Sequence, residues 1–257
     1  MAHTDKKTAL NQGVIIFVFL AALTALELFV AVAIGSVVLL AVIALVKAGL
    51  VAYYYMHIYR LNRADGGGHE TYAYKTGTNR LGLWLFLLSD SFVFGGLAVS
   101  RFNLLGLTRP HLNQILGLGV TSVLLLSSFF MNRAETSMEH GDRKGFLAGT
   151  TLTLILGIGF LLGVVGMEWP QAIHEGITPS SGAAGAIFFM MTGMHAFHVL
   201  TGVIFLVIIL RNGARGLYSA ERHWAVEAAA VYWHFVDVVW IFFYPALYLI
   251  GAVVSSP

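Results

Sequence analysis

Seven continuous apolar runs divide the chain, at approximately 13–33, 36–60, 80–100, 112–132, 147–167, 184–210 and 225–251. At about 1.5 Å rise per residue, each is long enough to cross a hydrocarbon core of about 30 Å as a single helix. The runs are unbroken rather than alternating, which argues against the dyad-patterned strands of a membrane barrel. The pattern predicts an all-α integral membrane protein with seven transmembrane helices. Residues 1–60 form a two-helix hairpin and 80–257 a five-helix bundle. The stretch 61–79, which contains RADGGGHE, reads as a flexible glycine-rich linker in which His69 is solvated.

The last run, VEAAAVYWHFVDVVWIFFYPALYLIG, organises the rest. It carries Glu227, His234 and Asp237, groups that cost several kcal/mol each at mid-bilayer unless partnered. At about 100° per residue the three share one face, with Trp233, Trp240 and Tyr244 on the adjoining one. A lone lipid-facing helix does not tolerate such a stripe, so the other spans are expected to form a bundle around it.

Further ionisable groups lie inside other spans. The first two spans turn through Ile34, Gly35 and Ser36, which sets Glu27 and Lys47 about one helical turn apart in depth. An intramembrane ion pair is the economical reading; a proton relay and pairing with a neighbouring subunit stay open. Asp90, between Ser89 and Ser91, sits at the middle of the third span, where a carboxylate is either protonated or paired. His195 and His198 lie near the middle of the sixth span, with Gly202 continuing their face. A buried network joining Asp90 to one of these histidines suits their depth better than metal or haem ligation, because His57 and His234 sit nearer the ends of their spans. Gly117, Thr121 and Ser128 in the fourth span, and Gly159 and Gly163 in the fifth, are devices for close helix packing in lipid. The stretch EWPQAIHEGITPSSG is read as a solvated loop that exposes Glu168, His174 and Glu175.

Composition agrees with a membrane protein: 58% of residues are hydrophobic and 11% charged, against roughly 45–50% and 25% in soluble domains. The absence of cysteine excludes disulfides, iron–sulfur ligation and thiolate copper. The polar start MAHTDKKTALNQG leads into an apolar run too long for a signal-peptide core, so the first span is expected to be retained. Basic residues fall unevenly between spans. With the N-terminus in the cytoplasm, Lys6, Lys7, Arg60, Arg63, Lys75, Arg80, Arg133, Arg143, Lys144, Arg211, Arg215 and Arg222 lie inside. Arg101 and Arg109 alone lie outside, which predicts N-inside and C-outside. These cations are scattered, and no nucleic-acid face emerges. The final span has no lysine for a retinal-type chromophore. No repeat or glycine/proline-broken midplane helix marks a transporter, since Pro245 lies toward the end of its span. No nucleotide-binding motif is present.

The quoted blocks carry a resemblance. VEAAAVYWHFVDVVWIFFYPALYLIG resembles the last helix of subunit III of the haem–copper oxidases, the terminal oxidases of aerobic respiration. GMHAFHVLTG resembles that family's penultimate helix, and GLWLFLLSDSFVFGGL the helix bearing its mid-membrane carboxylate, usually a glutamate where this chain has Asp90. ALTALELFVAVA and ALVKAGLVAYYYMHIYRL resemble instead the small subunit IV of prokaryotic oxidases, which suggests a subunit IV–III fusion joined at the linker.

The resemblance implies a non-redox subunit of a cytochrome c oxidase, in a complex that reduces oxygen to water and pumps protons. No catalytic or metal residue is then expected in this chain, with haems and copper in partner subunits I and II. It also implies bound phospholipid, for which Arg80 and Arg222 are the candidate contacts, and support of proton uptake. Membership of a larger respiratory supercomplex is possible on the same grounds. The site is expected to be a polar network of Asp90, His195, His198, Glu227, His234 and Asp237 that knits helices together. The implied location is a bacterial cytoplasmic membrane, with the C-terminus periplasmic. The same role in a quinol oxidase or a nitric-oxide-reductase-type complex is the near alternative, and an autonomous transporter the reading of a different class.

Overall fold

In a bilayer every backbone polar group must be satisfied within its own segment or by a neighbour, so the apolar runs become helices. The computed structural model describes residues 6–56 and 72–253. His57, Arg60, Arg63, His69 and the first part of the expected linker, 61–71, lie outside the described residues.

The described chain holds seven helical stretches long and apolar enough to cross a membrane. Helix α1 is Lys6–Ala33 and α2 is Val37–Leu50, prolonged by a π-helical turn at Val51–Tyr55. Helix α3 runs Tyr72–Leu105, α4 Gln114–Glu139 and α5 Arg143–Gly163. A π-helical turn at Val164–Glu168 leads directly into α6, Trp169–His174. Helix α7 is Ala183–Ala214, and α8, Trp224–Tyr244, ends in a π-helical turn at Pro245–Leu249. Two short strands, β1 (Thr108–Arg109) and β2 (Ala252–Val253), pair in parallel.

Two helices outrun the apolar patterning. Helix α3 begins at Tyr72, so residues 72–79 of the expected linker are helical. The fifth span does not end before Glu168 either. Helical structure continues to His174, and Glu168 is buried, which corrects the expectation of a solvated loop there. The wide turn at Val164–Glu168 absorbs the approach of Pro170, whose nitrogen has no hydrogen to donate.

Local chemistry sets the turns. Gly35 adopts φ +67° between α1 and α2, in the left-handed region that favours glycine, and Ser36 Oγ accepts from Leu39 N to start α2. Asn113 caps α4 by accepting from the Ile115 and Leu116 amides, and Asp142 caps α5 through Gly145 N.

Helix α8 is the hub. Over its most apolar stretch 83% of residues are buried, against 11% for α3. It touches α2, the π-helical turn after α2, α3, α4 and α7, while α1 packs on α4. The most extensive contact is between α4 and α5, where glycine lets backbones approach. A Cβ on Gly149 would lie 2.9 Å from Ala134 Cβ and 3.0 Å from the Phe130 carbonyl oxygen. Gly202 likewise makes room for the Trp233 ring, 2.8 Å from where its Cβ would stand.

Gly149→Ala is therefore expected to destabilise the protein by about 1–3 kcal/mol, because the obstacle is backbone. Gly159→Ala, whose added Cβ meets only Val123 at 3.9 Å, should be neutral or slightly stabilising. Thermal unfolding of the two variants in one detergent checks the contrast.

Candidate functional site: the polar contacts of the last helix

The ionisable groups buried in the spans resolve into separate centres, most of them against α8. At the seam with the hairpin, Lys47 Nζ donates to Glu27 Oε2 at 2.5 Å, with both side chains fully buried. Beside them the Tyr55 ring packs on His234 at 5.0 Å between centroids, and Tyr55 Oη donates to the Gly13 carbonyl at 3.0 Å. His234 Nδ1 lies 3.3 Å from Ser128 Oγ of α4. Asp237 is 1% exposed, and the Ser128 hydroxyl of α4 approaches its carboxyl without good hydrogen-bond geometry.

A second centre lies between α3 and α7. His198 Nε2 is 3.2 Å from Asp90 Oδ2. His198 Nδ1 is 2.7 Å from the Met194 carbonyl oxygen, which can only accept, so Nδ1 carries the hydrogen. Nε2 and the Asp90 carboxyl oxygen approach at that distance without hydrogen-bond alignment. Phe94 covers the imidazole edge-on at 4.7 Å.

His195 does not join this pair. One turn earlier on α7, it is wholly buried and points at α8, where its Nε2 donates to the Val236 carbonyl at 2.9 Å. Phe160 and Trp240 pack on its ring. The two histidines thus serve different neighbours.

Glu227 also leaves the stripe that it shares with His234 and Asp237 in sequence. It accepts a bidentate pair from Arg80 of α3, Nε at 3.0 Å and Nη2 at 3.1 Å. The Arg80 guanidinium sits 5.8 Å from the Trp224 ring, and that of Arg222 sits 5.7 Å from the Tyr72 ring. Two cations and two aromatic rings thereby gather at the start of α3 and α8.

Two groups at the opposite end escape sequence reasoning. Arg101 is fully buried and meets no carboxylate among the described residues; it donates to four carbonyls, Ala246 at 2.6 Å, Gly106 at 2.7 Å, and Thr108 and Ile250 at 2.8 Å. It staples the end of α8 and the β1–β2 pair to the end of α3. Its position just after an apolar run looks like an ordinary flank, and only the fold reveals the carbonyl ring. Glu168 Oε2 accepts from Tyr248 Oη at 2.7 Å, while its Oε1 has no partner. The apolar VVGM directly before Glu168 was the available signal that the helix continues past it.

Tryptophan N–H groups of α8 add neutral ties to α4, Trp233 to Ser127 at 3.0 Å and Trp240 to Thr121 at 2.9 Å. Among the described residues no three histidine or acidic side chains gather in a way that could hold a metal ion. At the end of the bundle that carries the N-terminus, Lys6 pairs with Asp142. The Gly145 amide and then Lys6 hold the Asp142 carboxyl below the usual carboxylate range.

The geometry defines a polytopic helical membrane protein in which several buried charges, Asp237 apart, meet one another or backbone carbonyls. The profile described as "Cytochrome c oxidase subunit III" matches residues 3–252, hairpin included. Curated proteins named "Cytochrome c oxidase subunit 3" are similar over 198 residues, 72% of this chain and 74% of theirs. Identity is 34% for that of Oryctolagus cuniculus, 33% for Equus caballus and 34% for Oncorhynchus mykiss. The chain belongs to the cytochrome c oxidase subunit III family.

Arg101→Met is expected to leave the buried carbonyls of Ala246 and Ile250 short of a donor, at roughly 1–3 kcal/mol for each one that stays unsatisfied. Faster hydrogen exchange and proteolysis beyond Pro245 would report it. Because folding lowers the Asp142 pKa, its contribution to stability is present above the ordinary carboxylate value of 3.8 and is lost as pH falls through the lower folded value. Lys6→Ala should narrow that loss to what the Gly145 and Lys144 amides provide, which an acid titration of the two proteins would measure.

Proposed function

We propose that this chain is a non-redox accessory subunit of a haem–copper terminal oxidase, seated on the catalytic subunit of a complex that reduces oxygen to water and pumps protons. The observation that carries this reading, beside the family match, is how the buried ionisable side chains are used. Glu27, Lys47, Arg80, Glu227, Asp90, His198 and Arg101 are each committed to a partner within the chain. That economy suits a rigid body that supports a catalytic neighbour. Haems and copper then belong to subunits I and II.

Positive flanks support an N-terminus on the cytoplasmic side, and the likeness of the hairpin blocks to prokaryotic subunit IV supports a bacterial membrane. Phospholipid binding follows from Arg222 and Arg80 beside Tyr72 and Trp224, a basic and aromatic cluster of the kind that meets headgroup phosphate. Arg80 is already held by Glu227, which leaves Arg222 as the freer of the two. Asp90 and His198, 3.2 Å apart within the spans, are the pair through which the chain would support proton uptake. A subunit-IV-like origin of α1 and α2 rests on their sequence blocks alone. The family match from residue 3 favours treating them as part of the subunit III body.

Purification through a tag on this chain in mild detergent is expected to bring down a haem-bearing partner, seen by its visible absorbance. A colourless chain would overturn the reading. Asp90→Asn should leave the haem spectrum unchanged while slowing proton uptake or shortening the lifetime of activity. Loss of haem in that variant would place Asp90 in another role.

A further inference from the structure

The seam between the hairpin and α8 buries one more negative group than positive. Glu27 and Lys47 are each 0% exposed and Asp237 is 1% exposed. Lys47 is committed to Glu27 at 2.5 Å, with Asp237 also within its coulombic reach. Facing the trio from the surrounding elements are Tyr55 after α2, Ser128 on α4, and His234 and Tyr244 on α8. With Lys47 charged, ionising both carboxyls would leave a net negative charge in a water-poor interior, a state that loss of hydration strongly disfavours. An ionised carboxylate also needs several well-placed donors, whereas among the described residues Asp237 is approached by the Ser128 hydroxyl without good hydrogen-bond geometry.

We propose that this seam is a proton-binding site, in which Glu27, Lys47 and Asp237 hold one proton between two carboxyls and one ammonium, with the proton resident on Asp237. The bond from Lys47 keeps Glu27 ionised, and the protonated Asp237 makes the trio neutral. The site is complete only when α1, α2 and α8 are together, so it also ties the hairpin to the bundle. It stands whether or not the oxidase reading does, since it uses only groups within this chain.

Infrared spectroscopy of the purified full-length protein tests it through the deuterium-sensitive carbonyl stretch of a protonated carboxyl. Asp237→Asn is expected to lose one such band. Glu27→Gln should lose the same band, because Lys47 then takes Asp237 as its counter-ion and Asp237 ionises. Lys47→Met should gain a second band, because both carboxyls then hold protons. An Asp237→Asn spectrum identical to that of the unaltered protein would overturn the proposal; it would mean that Asp237 is ionised, for instance against a protonated His234. A band that persists in Glu27→Gln would overturn the sharing of one proton. If Asp237→Asn does not fold, Asp90→Asn carrying carbon-13 aspartate leaves Asp237 as the one aspartate within a span. An isotope-shifted band in that protein supports the site, and its absence overturns it.

Discussion

A charged side chain taken out of water must find an opposite charge or a ring of dipoles at hydrogen-bonding distance, and α8 is where this chain meets that demand from several directions. Arg80 comes to it from α3, the Glu27–Lys47 pair from the hairpin, and His195 from α7, while Arg101 closes over its far end. Each contact fixes both the depth and the rotation of the arriving helix. Apolar packing against lipid does neither, because lipid tails are as apolar as the side chains they would replace.

Shape supports the same centre. Trp233 enters the space that Gly202 leaves on α7, and its N–H reaches Ser127 on α4. Trp240 packs on His195 and donates to Thr121. Aromatic bulk on α8 thus meets small residues on its neighbours, and the polar edge of each ring is satisfied by a hydroxyl that is itself part of a helix. By contrast α3 is largely unburied, and its ties to the rest run through Arg80, Asp90 and Arg101 near its start, middle and end. A helix with so little buried surface is held by three polar contacts, which accounts for ionisable groups in a span otherwise built for lipid.

The polar centres divide by what they can do. The Arg80–Glu227 pair and the Arg101 carbonyl ring have their donors and acceptors matched, and so act as fasteners. Asp90 and His198, and Asp237 at the hairpin seam, are buried without a matched hydrogen bond between donor and carboxyl oxygen.

Hydropathy is a local property, so the sequence by itself was enough to set the number of spans, the mid-span depth of Asp90 and the need of Glu27, Lys47 and Asp237 for company. The blocks around Asp90, His195 and Trp233 carried the family in the same way, since a linear pattern is what a family shares. Partners were another matter. His195 and His198 sit one turn apart, yet one turns to Val236 and the other to Asp90; Glu227 and Asp237 share a face, yet one meets α3 and the other the hairpin. Arg101 and Glu168 looked like flank and loop because a charge beside an apolar run reads the same whether it faces water or a buried carbonyl. Which of these holds depends on the order of helices around α8 and on how each is rotated, and those are fixed only when the spans pack, because a side chain's partner lies across space rather than along the chain.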